Sequence, residues 1–153
     1  MARTDLIIDF ETMGSDSTKC AVIDMSAMVF DWDKFTSNDP YTLSDVFKVK
    51  KFKFDVAQQV RDYKWEIDQG TLQFWSEQDS EVRKNIAPKT SDLSVPDFIK
   101  QFNDFLIDSP KINNWWSRSN SFDPVILTRI FKVENKLPHM ESHLQHWKVR
   151  DTR

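Results

Sequence analysis

Apolar positions in the first third of the chain predict three β-strands. Residues 6–8 form a short apolar run that ends on an acidic residue, as expected of a buried strand. Residues 20–32 are apolar on much of both faces and predict a second strand. Residues 42–54 alternate between apolar side chains and lysines, which is typical of an outer strand with one solvated face. This alternation slips by one position at residues 50–51, where we expect a β-bulge.

Helical spacing dominates the middle of the chain. Short helices are predicted over residues 71–76 and 80–86. The clearest helix covers residues 94–106, because Ser94 suits its N-cap, Pro96 suits its first turn, and apolar side chains recur at helical intervals. The remaining elements, a strand, a helix and a last strand, are predicted over residues 111–117, 124–133 and 147–151. This order of elements predicts an α/β fold with a mixed sheet flanked by helices.

Length and composition predict one globular domain over residues 1–153. The chain has only two glycines, which excludes a glycine-rich phosphate-binding loop. Its formal net charge of −3 provides no overall attraction for nucleic acid, so such a ligand requires local basic clusters or metal ions. The densest basic cluster lies at residues 48–53, and its alternative interpretation is an edge strand protected by lysines.

Cysteine usage and hydropathy indicate the cell compartment. The single cysteine, Cys20, has no partner for an internal disulfide and lies beside an apolar run, so we expect a buried thiol. No apolar stretch is long enough to span a membrane, and the first residues do not resemble a secretory signal. We therefore expect a cytoplasmic protein without a membrane partner.

Two acidic residues occupy the end of the first predicted strand. Asp9 and Glu11 are two positions apart, so a strand directs both side chains to one face. Carboxylates held together on a largely buried strand repel each other and lose hydration unless a cation lies between them. Mg²⁺ and Mn²⁺ prefer such oxygen ligands. A strand end that simply reaches water is the alternative explanation.

A third acidic residue, Asp123, lies where a predicted strand and loop enter the helix over residues 124–133. Its side chain suits a helix N-cap, a role worth about 1 kcal/mol. A carboxylate fixed at the start of a helix is also placed rigidly enough to bind a metal ion. Both interpretations are compatible with the sequence.

The segments around these acids resemble the DnaQ-like (DEDDh-type) 3′–5′ exonuclease superfamily. Residues 7–12 (IIDFET) are similar to its first exonuclease motif, and residues 121–127 (SFDPVIL) are similar to its second. Four further segments resemble the branch of phage exonuclease A and bacterial 3′–5′ exoribonucleases, namely residues 9–14, 71–75, 83–87 and 116–123. The similarity spans nearly the whole chain and implies an RNase H-like fold.

The resemblance implies a two-metal catalytic site. Asp9, Glu11 and Asp123 would bind two divalent ions, Mg²⁺ or Mn²⁺. The ions would activate a water for attack on the terminal phosphodiester and stabilise the leaving 3′ oxygen.

The resemblance also implies a place for the 3′ end of a single-stranded nucleic acid. Thr12 and Met13 would lie beside the terminal nucleotide, through backbone groups and the Met13 side chain. Trp75 would stack on a base, an interaction worth about 1–3 kcal/mol. A core position next to Phe74 is the alternative role for Trp75.

The third motif of the superfamily, a histidine general base followed by a fourth aspartate, has no clear counterpart. His146 and Asp151 have the spacing of that motif, but they follow Asp123 too closely for the family pattern. A strand at this point would also direct the two side chains to opposite faces. We expect the chain to end before this motif and before the C-terminal helices of the family fold.

Two functions follow as hypotheses. The first is a metal-dependent 3′–5′ exonuclease of phage or prophage type that hydrolyses phosphodiester bonds at the 3′ ends of RNA or single-stranded DNA. The second is an inactive remnant that binds nucleic acid or protein, because a general base contributes about 10²–10⁴-fold to the rate. An incomplete core would leave an apolar surface, which would predict a homo-oligomer.

Overall fold

A five-stranded mixed sheet forms the centre of the computed structural model, which describes residues 3–37, 40 and 42–153. The strand order is β3-β2-β1-β4-β5. β2 pairs antiparallel with both β1 and β3, whereas β1 with β4 and β4 with β5 are parallel. The strands are β1 (Thr4–Thr12), β2 (Val22–Asp31), β3 (Val46–Lys53), β4 (Asn114–Ser117) and β5 (Val149–Asp151). The predicted α/β fold with a mixed sheet is confirmed.

The described residues form seven α-helices, none of which is long and apolar enough to cross a membrane. They are α1 (Trp32–Phe35), α2 (Val56–Tyr63), α3 (Gln69–Ser76), α4 (Ser80–Ile86), α5 (Val95–Ile107), α6 (Asp123–Val133) and α7 (Leu137–Glu141). The four predicted helices are confirmed as α3 to α6, whereas α1, α2 and α7 were not predicted. The predicted last strand begins later than expected, at β5, because residues 146–148 form a 3₁₀ turn.

One face of the sheet forms the hydrophobic core with α5 and α6. Alternate strand residues point to this face, and they are Leu6, Ile8, Phe10, Met25, Ala27, Val29, Phe52 and Trp115. Three phenylalanines of α5, Phe98, Phe102 and Phe105, meet Phe52 edge-on, with ring centroids 5.3–5.9 Å apart. Burying each such side chain contributes about 1.5–3 kcal/mol. As predicted, Ser94 caps α5, because its Oγ accepts from the N–H of Asp97 at 3.2 Å.

The opposite face of the sheet is more exposed, and it is acidic at one end and apolar at the other. Asp9 and Glu11 project from it at the carboxyl end of β1. An apolar groove of about 400 Å³ lies towards the other end, lined by Ile7, Met28, Phe30, Trp32, Phe35 and Trp116. Trp32 of α1 stacks on Trp116 of β4 within this groove, at a centroid distance of 4.9 Å.

The bulge predicted at residues 50–51 is wrong. β3 pairs continuously with β2 there, and the shift in register instead lies beside Phe47. Phe47 and Val49 therefore share the exposed face, at 48% and 65% exposure, whereas Phe52 lies in the core. The apolar residues of β3 thus lie on different faces of the sheet. Val49 lies opposite Met28, which lines the apolar groove, whereas Phe52 lies opposite Met25 in the core.

The lysines of β3 lie at the edge of the sheet, as the edge-strand interpretation requires. They do not form one basic patch, because each binds a different partner. Lys48 Nζ donates to the carbonyl of Phe105, Lys50 contacts Gln101, Lys51 pairs with Asp24, and Lys53 pairs with Asp92.

A buried glutamine fixes the start of β2. The side chain of Gln59 accepts from the N–H of Val22 at 2.7 Å and donates to its carbonyl at 2.9 Å. We predict that Gln59→Leu lowers the free energy of unfolding by about 2–4 kcal/mol, because two buried backbone groups lose their partners. Urea unfolding measures the change. Gln73→Leu, at an exposed position of α3, is the matched control, and equal midpoints for both variants would contradict the prediction.

Candidate functional site

Three carboxylates lie near one another where β1 ends beside the start of α6. Asp9 and Glu11 share the exposed face of β1, as predicted. β4 pairs with β1 only as far as Ile7, so the N–H of Phe10 has no partner on that strand. Asp123 supplies the acceptor, with its Oδ1 3.0 Å from the nitrogen of Phe10. This bond holds the first residue of α6 against the Asp9–Glu11 segment.

The N-cap role considered for Asp123 is wrong. Phe122 occupies the N-cap position of α6, and no side chain caps the helix. The Asp123 carboxylate lies in the first turn instead, because it is committed to the N–H of Phe10. A helix N-terminus favours a negative charge at that place.

Burial dominates the electrostatics of Asp123, which is 3% exposed. Loss of hydration raises its pKa from 3.8 to about 6, and the negative charge of Asp9 contributes to the rise. The hydrogen bond from Phe10 acts in the opposite direction, because it stabilises the ionised form. Ionisation of Asp123 therefore costs more free energy in the folded protein than in water.

The pKa values of the other two carboxylates are also raised. Burial raises the pKa of Asp9, and the positive charge of Arg118 partly offsets this. Burial raises the pKa of Glu11 as well, and the negative charges of Asp9 and Asp123 raise it further. The three groups thus act on one another, and a cation among them would stabilise all three ionised forms.

A fourth acid, Asp24, was missed from the sequence. It lies on β2 directly opposite Glu11 and is only 2% exposed. Its Oδ2 is 3.2 Å from Nζ of Lys51, which lowers the pKa of Asp24 against the larger effect of burial. The available signal was a lone carboxylate inside the apolar run of residues 20–32.

The donor chemistry of this site suits a hard divalent cation, because carboxylate oxygens are the ligands that Mg²⁺ and Mn²⁺ prefer. Across residues 3–37, 40 and 42–153, no three His, Cys, Asp or Glu side chains already stand close enough to hold one ion. Within the described residues, the exposed carboxylates of Asp9 and Glu11 form no hydrogen bond, whereas Asp123 is bonded to Phe10. The residues therefore fit the ion in chemistry and charge, with rotation of the two exposed carboxylates.

Thr12 and Met13 lie at the end of β1 with their polar groups already bonded. The Thr12 hydroxyl donates to the carbonyl of Gly14 at 2.6 Å, and its own carbonyl accepts from Nε1 of Trp75 at 3.0 Å. The N–H and carbonyl of Met13 bond to Ala21 and Asp68. The partly buried Met13 side chain packs against the core.

Trp75 does not belong to the core cluster, and its neighbour Phe74 is largely exposed. Its half-buried indole anchors α3 to the end of β1 through the bond to Thr12. The two aromatic rings meet edge-on, with centroids 5.1 Å apart.

The contacts of His146 and Asp151 are with residues other than the three carboxylates. His146 is exposed and packs edge-on against Trp147. The Asp151 carboxylate accepts from the N–H groups of Asn120 and Arg153. Neither residue acts on the pKa of Asp9, Glu11 or Asp123.

Comparison with known proteins assigns the family. The family model described as the 3′–5′ exoribonuclease Rv2179c-like domain matches residues 4–153 of the chain. The chain belongs to this family. Among curated proteins, this Rv2179c-like domain is 36% identical over 150 residues to an exodeoxyribonuclease of Enterobacteria phage T4. The match covers 95% of the chain and 63% of the phage protein, so the chain spans somewhat less than two thirds of that relative.

Solved structures show the same fold for the Rv2179c-like domain. Apo Exonuclease I has a TM-score of 0.64 at 18% identity, covering 99% of the chain and 29% of the compared protein. The zinc-bound complex of E. coli ExoI with ssDNA has a TM-score of 0.65 at 18% identity, with 99% and 28% covered. The predicted RNase H-like fold and the membership of the DnaQ-like 3′–5′ exonucleases are confirmed.

The raised pKa of Asp123 makes the stability of the Rv2179c-like domain depend on pH. Between about pH 4 and pH 6 the folded state binds more protons than the unfolded state, so stability falls as the pH rises. We predict that Asp123→Asn is more stable than wild type by about 2 kcal/mol at pH 7 in metal-free buffer. Asparagine keeps an acceptor for the N–H of Phe10 without a buried charge.

Urea unfolding at several pH values, with EDTA present, measures this effect. The wild type should lose stability between about pH 4 and pH 6, and Asp123→Asn should lose less. Asp123→Ala is the control, because it removes the charge and also the acceptor for Phe10. The same pH dependence in wild type and Asp123→Asn would show that this carboxyl is not the titrating group.

Proposed function

We propose that this chain is a metal-dependent 3′–5′ exonuclease that acts on the 3′ ends of single-stranded RNA or DNA. The observation that carries the proposal is Asp123, which Phe10 holds against the Asp9–Glu11 segment in a chain of the exoribonuclease-like family. Two similar proteins support a nucleic-acid substrate. The phage relative is named an exodeoxyribonuclease, and an Exonuclease I structure of the same fold is a complex with single-stranded DNA.

Asp9, Glu11 and Asp123 are the residues that would hold Mg²⁺ or Mn²⁺. Two such ions, when bound, supply an activated water and stabilise the charge on the leaving 3′ oxygen. Asp123 contributes the fixed ligand, and the exposed Asp9 and Glu11 contribute adjustable ones. Because ligands must be ionised, the pKa of about 6 at Asp123 predicts that metal binding weakens in acid.

The substrate strand would reach the carboxylates past the end of β1. Trp75 lies there, half-buried and outside the core, so part of its ring surface can accept a stacked base. Its N–H bond to Thr12 fixes the indole relative to Asp9 and Glu11, which belong to the same strand. The polar groups of Thr12 and Met13 are bonded within the protein, so their contact with the terminal nucleotide would come from side-chain surface.

Loss of one metal ligand should abolish turnover. Outer-shell partners of a metal ion already contribute about 10–100-fold to affinity or activity, so Asp9→Asn and Glu11→Gln should each lose more than that. The assay follows 5′-labelled single strands of RNA and DNA as they shorten from the 3′ end with Mg²⁺ or Mn²⁺. EDTA should stop the reaction. Asp79→Asn is the matched control, because asparagine preserves its N-cap of α4.

Two outcomes would overturn the proposal. Equal cleavage by wild type and Asp9→Asn would place the activity elsewhere. Binding of the strands without any shortening, in the presence of either metal, would favour the second hypothesis of an inactive nucleic-acid-binding module.

A further inference from the structure

The loop after β4 brings a cationic side chain to the acidic site. In the parallel ladder between β1 and β4, Ile7 lies opposite Trp116. Arg118 and Asp9 each follow this pair by two residues, with Arg118 directly after the end of β4. Trp116 lies on the face of the carboxylates, since its Nε1 donates to Asp5, which alternates with Ile7 and Asp9. Ser117 is buried and Arg118 is exposed, so the alternation of burial along β4 continues by one residue.

The guanidinium of Arg118 is exposed and available. Within the part of the chain that the structure describes, it forms no hydrogen bond and no ion pair. Its positive charge nevertheless acts on Asp9, where it lowers the pKa. Two other arginines, by contrast, pair with neighbouring carboxylates, Arg3 with Asp5 and Arg61 with Asp62.

The backbone that carries Arg118 is held from two sides. The carbonyl of Ser117 accepts from the N–H of Thr152 at 2.9 Å, and the N–H of Asn120 donates to Asp151 at 3.3 Å. On the other side, Oγ of Ser17 donates to the carbonyl of Ser121 at 3.0 Å. The backbone on both sides of Arg118 is therefore fixed, which suits a residue that positions a ligand.

A polyanion needs such a cation at this place. The chain carries a net charge of −3, and four carboxylates lie at the site, so a nucleic-acid strand approaching it is repelled. Lys51 and Lys53, which also act on Asp24, are already paired with Asp24 and Asp92. Arg118 is not, and its planar fork of N–H donors matches the oxygens of a phosphate.

We propose that Arg118 is a substrate-binding residue that contacts a phosphate of the strand whose 3′ end lies at Asp9, Glu11 and Asp123. This inference rests on the proposed function and names a contact that serves it. The contact is to the backbone, so it should not distinguish one base from another.

The test is strand binding in EDTA, where hydrolysis does not occur. The anisotropy of fluorescein-labelled oligo(dT) and oligo(U) gives Kd over a series of salt concentrations. For Arg118→Gln we expect weaker binding to both strands and a salt slope reduced by about 0.7, the value for one phosphate contact to a single strand. Arg118→Lys should restore the slope, because it keeps the charge. Arg61→Gln, which removes an exposed arginine of α2, should match wild type.

The outcomes separate this inference from the proposed function. An unchanged salt slope in Arg118→Gln, or an equal loss in Arg61→Gln, would overturn the role of Arg118 even if wild type shortens the strands. A reduced slope in Arg118→Gln, together with a wild type that never shortens a strand, would support the phosphate contact and overturn the exonuclease. A wild type that binds neither strand in EDTA would overturn the role of Arg118, whereas the exonuclease is decided by the cleavage assay with Mg²⁺ or Mn²⁺.

Discussion

The hydrogen bond from the N–H of Phe10 to Asp123 decides where the site forms. β4 is short and pairs with β1 only as far as Ile7. The N–H of Phe10, further along β1, therefore has no partner on β4. A buried N–H without an acceptor costs about 1–3 kcal/mol, so the fold needs a polar group at this point. Asp123 meets that need and thereby places the start of α6 beside Asp9 and Glu11. One bond satisfies the backbone and assembles the acidic site.

The resulting site is electrostatically unfavourable without a ligand. Burial raises the pKa of Asp9, Glu11, Asp24 and Asp123. Among the described residues, only Asp24 of these four has a lysine within ion-pair distance. Such a cluster lowers the stability of the folded chain, whereas the core under α5 and α6 raises it. Proteins keep groups of this kind mainly at functional sites, where a ligand or a reaction uses the unfavourable charge.

Local patterns in the sequence predicted the elements whose stability is local. The shared face of Asp9 and Glu11 follows from strand alternation, and α5 follows from its cap and its apolar spacing. The helix α2 was missed, because its buried residues Gln58 and Gln59 are polar and serve by bonding Val95 and Val22. Its apolar residues Val56, Val60 and Tyr63 have helical spacing, but none of them is fully buried.

Partners that lie far apart in the chain set the rest of the site. Asp24 faces Glu11 only because of the register between β1 and β2, and that register cannot be read from either strand alone.

Family membership and catalytic competence depend on different residues of this chain. The fold and the three carboxylates are present, but no histidine in the described part of the chain bonds to them or acts on their pKa. His139 and His146 are exposed, and His143 is only partly buried near α7. In the proposed exonuclease these residues would bind and orient the strand and its cations, and solvent would take the proton from the attacking water. Because a positioned base contributes about 10²–10⁴-fold, an acidic site without one would turn over more slowly by about that factor, even with its carboxylates intact.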